Sequence, residues 1–286
     1  MVTARAHHVV VDARVRCLLE GPAGWGEWSP LPGYPCDPDA AWRAAEEAAL
    51  VGWPPAVRSV VSVNALVTGP PVDARALAGY PAVKVKVGPP ERLDVVAAVR
   101  DAVGPHVALR VDANGAWDLD AAVDAIGRLA RYDLELVEQP VPRLDELARL
   151  RRRVDVPLAA DECVRSVEDA QRLRRLGAAD ALVVKVPPAG GVRAAAALVD
   201  AAGVPGIPSS MHETSVGLAA ALALAATLPE LPFACGLATR TRGAEDVTTA
   251  PLVPERGALT VRTVTPDPAL LARYAVSSPD TQAAIR

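Results

Sequence analysis

The feature that most constrains this chain is a repeat that begins near residue 60, where short β-rich runs alternate with helical stretches. The strand runs are Val63–Val67, Ala82–Val87, Ala108–Ala113, Glu135–Gln139, Pro157–Asp161, Ala181–Val186, Gly206–Ser209 and Phe233–Gly236. Between them, stretches such as ERLDVVAAVRDAV (91–103) and SVEDAQRLRRLG (166–177) space their apolar residues three and four apart, which gathers them on one face of a helix. The second of these opens on Ser166, a capping hydroxyl, and closes on Gly177, which accepts the left-handed turn that ends a helix. Eight strands alternating with seven helices is the count of a closed parallel barrel without its last helix. The sequence therefore predicts an α/β protein with a (β/α)7β TIM-like barrel over residues 61–236. An open doubly wound sheet shares the alternation, but no G-x-G-x-x-G follows the first strand.

The two ends of the chain read differently. Residues 1–60 hold a strand-like VVVDARVRCLL, a Gly- and Trp-rich turn (GPAGWGEWSP) and a helix from Pro38, which Asp37 is placed to cap. Residues 237–286 carry PLVPERGALTVRTV, which reads as a strand hairpin. Neither end is long enough to bury a core alone, so the two are expected to pack together as a smaller α+β capping domain beside the barrel.

Composition removes several function classes. The longest mostly apolar run, Val216 to Leu228, is shorter than the roughly 18 residues of a membrane span and reads as a buried helix. The opening residues lack a basic segment followed by a long apolar stretch, so a cytoplasmic location is expected. Cys17, Cys36, Cys163 and Cys235 are scattered without Cys-x-x-Cys spacing, which argues against a zinc site or a disulfide scaffold and for reduced thiols. A net charge of -4 with no basic tail gives no electrostatic reason to expect nucleic acid or an anionic membrane as partner. A small-molecule carboxylate is the expected partner.

Of 30 basic residues, only Lys84, Lys86 and Lys185 are lysines; the rest are arginines. A chain that uses arginine wherever a plain positive charge suffices keeps lysine where a removable proton matters. All three lysines fall at the C-terminal ends of strand runs, the end where barrel enzymes place their chemistry. Alternation along the second run puts Lys84 and Lys86 on one face and Val83, Val85 and Val87 on the other. The next three runs end in acids: Asp112 (with Asn114 just beyond), Glu138, and Asp161 followed by Glu162. Asp112, Glu138 and Asp161 are separated by 26 and 23 residues, about one strand-helix unit each, so they lie side by side on consecutive strands. Three such carboxylates repel one another unless a cation lies between them, and an all-oxygen set suits Mg²⁺. The alternative is that each acid pairs with an arginine or is solvated at the rim. Lys86, with Lys84 beside it and a metal nearby, is expected to have its proton affinity lowered enough to act as a base. The implied reaction class is proton abstraction α to a carboxylate.

The set KVKVG, RVDANGAW, ELVEQP, ADE and VVKVPPAGG resembles the enolase superfamily, in the muconate-lactonizing-enzyme-like subgroup with Lys-x-Lys on the second barrel strand and a third lysine on the sixth. Within it, GPAGWGEWSPLPGY, SSMHETSVGLAAALA and LPFACGLAT look like the actinobacterial o-succinylbenzoate synthase family. That resemblance implies a lyase that binds Mg²⁺, with Mn²⁺ as a substitute, through Asp112, Glu138 and Asp161. It implies that Lys86 removes the α-proton of 2-succinyl-6-hydroxy-2,4-cyclohexadiene-1-carboxylate and then protonates the departing hydroxyl on the same face, a step of menaquinone biosynthesis. Lys185 is implied as a cation over the opposite face of the ring, Lys84 as support for the carboxylate, and Asn114, Ser209 and Ser210 as pocket lining. Glu162 is implied to stand behind the ligands. One departure concerns the N-terminal part, where VVVDARVRCLLEGPAGWGEW leaves little room for the loop that helps to cover the site in this family.

The same two-lysine barrel serves racemases of N-acylamino acids and epimerases of dipeptides. Against a dipeptide epimerase stands Phe233-Ala-Cys-Gly236, which lacks an Asp-x-Asp to bind a substrate ammonium. A barrel that has lost catalysis and only binds is disfavoured by the retention of all three acids and all three lysines.

Overall fold

A computed structural model describes residues 3–88 and 93–276. Strands β1 (Arg5–Val11), β2 (Arg14–Gly21) and β3 (Gly24–Trp28) form an antiparallel meander. Asp12 and Ala13 turn the first hairpin at φ 51° and 56°, the positive values that match a two-residue turn to the strand twist. Helix α1 (Pro38–Glu46) starts as predicted, with the Asp37 side chain accepting the Asp39 N–H, and runs into a π-helical turn over Glu47–Val51. It lays Ala41, Ala45 and Ala49 against Cys17, Leu19 and Trp28 of the meander. The contact is close enough to demand glycine: a Cβ on Gly26 would stand 2.0 Å from the Ala45 carbonyl oxygen.

Then come β4 (Val60–Ser62), β5 (Ala65–Val67), α2 (Ala74–Leu77), β6 (Ala82–Lys86), α3 (Asp94–Val103), β7 (Ala108–Asp112), α4 (Leu119–Leu129) and β8 (Leu134–Glu138). The series continues with α5 (Leu144–Arg151), β9 (Leu158–Ala160), α6 (Val167–Leu176), β10 (Ala181–Val184), α7 (Val186–Ala189), α8 (Val192–Ala202), β11 (Gly206–Pro208) and α9 (Ser215–Thr227). Strand β12 (Ala258–Thr260) and α10 (Pro268–Tyr274) follow. Strands β5 to β11 form one curled parallel sheet in sequence order. Val83, Val85 and Val87 are buried among the helices, in one core with Val96, Ile126 and Leu147, so the other face of β6 carries its lysines toward the inside of the curl. Helix α6 has the predicted Ser166 cap, reciprocated by Asp169, and ends at Gly177 with φ 55°. Helix α9 is buried almost throughout, as an apolar helix inside a core should be. Among the described residues no helix is long and apolar enough to cross a membrane, and the four cysteines are unpaired thiols.

Several elements differ from the sequence reading. The run at Val63–Val67 supplies only β5, while Val60–Ser62 pairs antiparallel with Ala258–Thr260. The tail strand therefore joins the entrance of the sheet, and its expected hairpin shrinks to a Glu255–Ala258 bridge. The run at Ala181–Val186 stops at Val184 because Pro187 and Pro188 have no N–H to pair and Pro187 instead fits the first turn of α7. Phe233–Gly236 forms no strand: Cys235 and Gly236 make isolated bridges to Val63 and Ser209. Its hydrogen bonds include Cys235 N to Ser62 O (2.8 Å), Asn64 N to Cys235 O (2.9 Å) and Gly236 N to Pro208 O (2.9 Å), so this short stretch touches both edges of the sheet. The predicted start of the third helix, Glu91–Arg92, lies outside the described residues.

The tail also meets the meander, through a Val9–Ala275 bridge and the Val276 N–H donating to His8 O at 3.0 Å. Val9, Val11, Leu18, Leu222, Leu224, Leu252 and Leu259 share one core, which ties meander, α9 and tail together. The tight α1 contact makes a direct prediction. Gly26→Ala is expected to cost about 1–3 kcal/mol or more through overpacking, read as a lowered urea midpoint with an unchanged slope; an unchanged midpoint would show that α1 can move away freely.

Candidate active site

The sheet register brings the predicted residues into a row. Lys86 is the Cα partner of Asp112, and Asp112 of Glu138, across β6, β7 and β8. Asp161 follows the end of β9 and Lys185 the end of β10. Gln139, buried with φ 38°, locks two strand ends together: its Oε1 accepts the N–H groups of Asp161 (2.7 Å) and Cys163 (3.2 Å), and its Nε2 donates to Val141 O (2.6 Å).

Within this row the acids are bound by lysines rather than arginines. Lys84 Nζ donates to Asp112 Oδ2 at 3.0 Å and to Glu138 Oε1 at 2.9 Å. Lys86 Nζ donates to the same Asp112 oxygen at 2.7 Å and to Asn114 Oδ1 at 2.8 Å. Lys185 Nζ grips both oxygens of Asp161, one at 2.6 Å, and reaches Tyr34 Oη at 3.2 Å. Asn114, in a left-handed conformation at φ 48° that Asn tolerates, also donates Nδ2 to Glu162 Oε1 at 3.1 Å. Burial alone would lower the proton affinity of Lys84 and Lys185; the carboxylates beside them, Glu138 with Asp112 and Asp161 respectively, outweigh it and raise both above the ordinary lysine value. Lys84 is thus locally neutralised and is not the bare positive charge beside Lys86 that the sequence predicts. Burial and then the Asp112 charge push Glu138 up to about 8.

Lys84, Lys86, Lys185, Glu138 and Asp161 line a cavity of about 150 Å³ together with Asn114, Glu162, Ser209, Ser210, His212 and Thr239, while Asp112 lies buried behind it. The segment between β3 and α1 supplies part of its wall through Leu31 and Tyr34. Tyr34 Oη donates to Asp161 Oδ1 at 3.1 Å and accepts from Arg165 Nη1 at 2.8 Å, and Lys185 Nζ lies 4.5 Å from its ring centre. The short lead-in therefore still covers the site from the N-terminal part. Ser209 and Ser210 are buried lining residues, with Ser210 Oγ 2.8 Å from Thr239 Oγ1.

The loop that carries them is held by the meander. Arg14 Nη1 donates to His212 O at 2.9 Å and Arg16 Nη1 to the same oxygen at 3.2 Å. Buried Glu27 pairs with Arg16 at 2.8 Å and accepts the N–H groups of Thr214 (3.1 Å) and Gly217 (3.0 Å), which places a carboxylate at the N-terminus of α9. Burial opposes this charge, but Arg16, Thr214 and Ser29 outweigh it and keep Glu27 below the ordinary carboxylate range. The sequence reading missed Tyr34, Gln139, Glu27 and Arg16. Only the GWGEW motif, with an acid in an apolar turn, hinted at one of them.

Two family models match the chain: enolase N-terminal domain-like over residues 5–49 and enolase C-terminal domain-like over residues 72–266. The chain belongs to the enolase superfamily. Among relatives, it is 51% identical to an o-succinylbenzoate synthase of Thermobifida fusca (strain YX), over 92% of this chain and 88% of that one. It is 42% identical to an o-succinylbenzoate synthase of Mycolicibacterium smegmatis, over 98% and 93%. Muconate cycloisomerase from Pseudomonas fluorescens superposes with a TM-score of 0.82 at 24% identity, covering 96% and 99%. Muconate lactonizing enzyme from Pseudomonas putida gives 0.83 at 22%, covering 96% and 100%. These two likenesses establish the fold alone.

Superfamily membership implies a divalent metal, and the donor chemistry can be tested against that. Asp112, Glu138 and Asp161 are all-oxygen, buried and at the ends of successive strands, and burial together with the Asp112 charge raises the proton affinity of Glu138. Such a set fits a hard dication. Among the described residues no three acid, His or Cys side chains close into one ligand cluster: Asp112 and Glu138 are drawn together by Lys84, while Asp161 turns to Lys185. The lysines supply the counter-charge to these acids in the structure.

A further buried acid, Glu213, accepts only the Met211 N–H, at 2.7 Å, and its Oε1 has no partner. Burial and the Glu27 charge push it up to about 7. Because the folded chain binds this proton more tightly than the unfolded one, the contribution of Glu213 to stability is fully present below about pH 4.5 and is lost as pH rises to about 7, a change of about 3 kcal/mol. Glu213→Gln is expected to gain on the wild type by that amount across the window in urea denaturation. A gain that does not change with pH would show that Glu213 is ionised throughout.

Proposed function

We propose that this chain catalyses the o-succinylbenzoate synthase reaction, the syn-dehydration of 2-succinyl-6-hydroxy-2,4-cyclohexadiene-1-carboxylate to 2-succinylbenzoate in menaquinone biosynthesis. The reading is carried by one observation: Lys86, Glu138, Asp161 and Lys185 line one cavity, with Asp112 buried behind Lys86 and Glu138 in the same row, in a chain half identical to a synthase of that name. We read residues 61–236 as the (β/α)7β barrel, with Cys235–Gly236 as the eighth stave because it bonds to both sheet edges. The described parts of residues 1–60 and 237–286 form the capping domain on this reading; residues 1–2 and 277–286 lie outside the described residues. The cytoplasm is the location expected of such an enzyme.

Asp112, Glu138 and Asp161 would hold Mg²⁺, with Mn²⁺ as a substitute, and the bound dication would supply charge stabilisation to the substrate carboxylate as its α-carbon loses a proton. Lys86 is the proton carrier. Its side chain is 32% exposed, against 10% for Lys84 and Lys185, so it is the lysine that reaches open cavity. As the free amine it takes the α-proton; the C–O bond to the ring hydroxyl then breaks, and the same Nζ returns the proton to the leaving oxygen, which departs as water while the ring becomes aromatic. Asn114 Oδ1 holds that Nζ at 2.8 Å and limits its swing. Lys84, enclosed between two carboxylates, stays an ammonium near the substrate carboxylate. Lys185 is fixed by Asp161 and Tyr34 as a standing cation, suited to a cation–π contact with the ring. Ser209 and Ser210 line the pocket.

A spectrophotometric dehydration assay with Mg²⁺ tests this reading. Turnover is expected to vanish with EDTA and to return with added Mg²⁺, and Lys86→Arg, which keeps charge but cannot release a proton, is expected to lower kcat by about 10²–10⁴-fold. Racemisation of N-succinylamino acids without any dehydration would overturn the assignment in favour of a racemase with Lys185 as second acid.

A further inference from the structure

The substrate proposed above carries two carboxylates, one on the ring and one at the end of its succinyl arm, and the acid row accounts only for the first. The second needs a donor on a wall free of carboxylates. Every acid lining the cavity comes from the β8 and β9 ends; the wall formed by Ser209, Ser210, His212, Gly236 and Thr239 contributes none.

His212 is the only titratable side chain on that wall. It is exposed to the cavity mouth, and its backbone sits at φ 58°, a left-handed conformation unusual for a residue with a side chain. That conformation is held from outside the loop: the His212 carbonyl accepts from both Arg14 and Arg16, while its N–H faces Ser210 Oγ at 3.5 Å. Arg14 spends its guanidinium on four carbonyl oxygens, those of Met211, His212, Ser29 and Pro30, and forms no ion pair among the described residues. Its positive charge is therefore not cancelled by a contacting carboxylate. Partial burial first, and then the basic Arg14, Lys86, Arg240 and Arg16, hold the imidazole below the ordinary histidine value, which favours the neutral ring with one N–H to give.

We infer that His212 binds the succinyl carboxylate of the substrate, donating an imidazole N–H to it within the positive field of Arg14. This assignment rests on the proposed reaction. The left-handed backbone has a role on this account: the meander's two arginines hold the loop so that His212 stays on the cavity wall, and Arg14, whose charge no carboxylate among the described residues pairs, supplies a field that favours an anion there, whereas Arg16 is paired with Glu27.

The test uses His212→Asn and His212→Gly, because both residues tolerate positive φ and keep the loop intact. Each is expected to raise KM for the cyclohexadiene substrate about 10- to 100-fold, the range for a hydrogen bond to a charged group, with kcat within about threefold of wild type. Calorimetric affinity for the product 2-succinylbenzoate should fall by the same factor. A product analogue esterified at the succinyl carboxylate should bind wild type and variants alike, since its carboxylate is already masked. Unchanged KM and product affinity in the variants, or an equal loss with the ester, would overturn the assignment of His212 alone. A wild-type protein that neither dehydrates the substrate nor binds its product would overturn the proposed reaction, and this assignment with it.

Discussion

Everything at the functional end of this molecule depends on how three buried carboxylates are neutralised. Asp112, Glu138 and Asp161 lie in the interior of a curled sheet with almost no contact with water, where an unpaired charge costs several kcal/mol. Three lysines meet that cost as the chain stands, and they do so incompletely, since Glu138 is pushed up to about 8. The arrangement is over-supplied with negative charge in one small volume and has flexible ammonium groups as counter-ions. Such groups can give way to a dication more readily than arginines could, because the guanidinium fork commits its geometry to a bidentate pair.

The meander is the second requirement, because the loop after β11 has little of its own to hold it in place. Glu27 satisfies the Thr214 and Gly217 N–H groups at the start of α9, and Arg14 and Arg16 take up the carbonyls of Met211 and His212. The N-terminal sheet thus does for this loop what a capping side chain does for a helix, across nearly two hundred residues of sequence. Gly26 and the alanine face of α1 keep the sheet itself rigid. Leu31 and Tyr34 then extend from the far end of β3 into the cavity wall, so that one small unit both fixes and covers the site.

What could be read from the sequence follows the periodic part of the structure. Alternation on β6 put Lys84 and Lys86 on the inner face, the even spacing of the acids predicted their place on successive strands, and Ser166 with Gly177 marked both ends of α6. Isolated features escaped. The strand at Phe233–Gly236 was too short to pair as a strand, and the prolines after Lys185 ended β10 early. Gln139 and Tyr34 act through contacts to residues at least 22 and 127 positions away, and no local pattern records such contacts. Glu27 looked like one more polar residue in a turn, because what makes it necessary is a helix N-terminus that only the folded chain brings near.

The three lysines also divide their work in a way that composition alone could only suggest. All three lie among carboxylates, but Lys84 and Lys185 are enclosed and held by three oxygens each, whereas Lys86 shares one oxygen of Asp112 and has an amide as its other partner. A proton carrier must be able to lose its ammonium charge without leaving an anion stranded. Lys84 cannot do so, since neutralising it would leave Asp112 and Glu138 facing each other, and Lys185 cannot while it is, among the described residues, the only cation paired with Asp161. For Lys86 the remaining partner, Asn114, is neutral, and Asp112 keeps Lys84 when Lys86 gives up its proton. The enclosed lysines are thus what allows the third to be reactive, which is a physical reason for a chain so rich in arginine to keep lysine at all three positions.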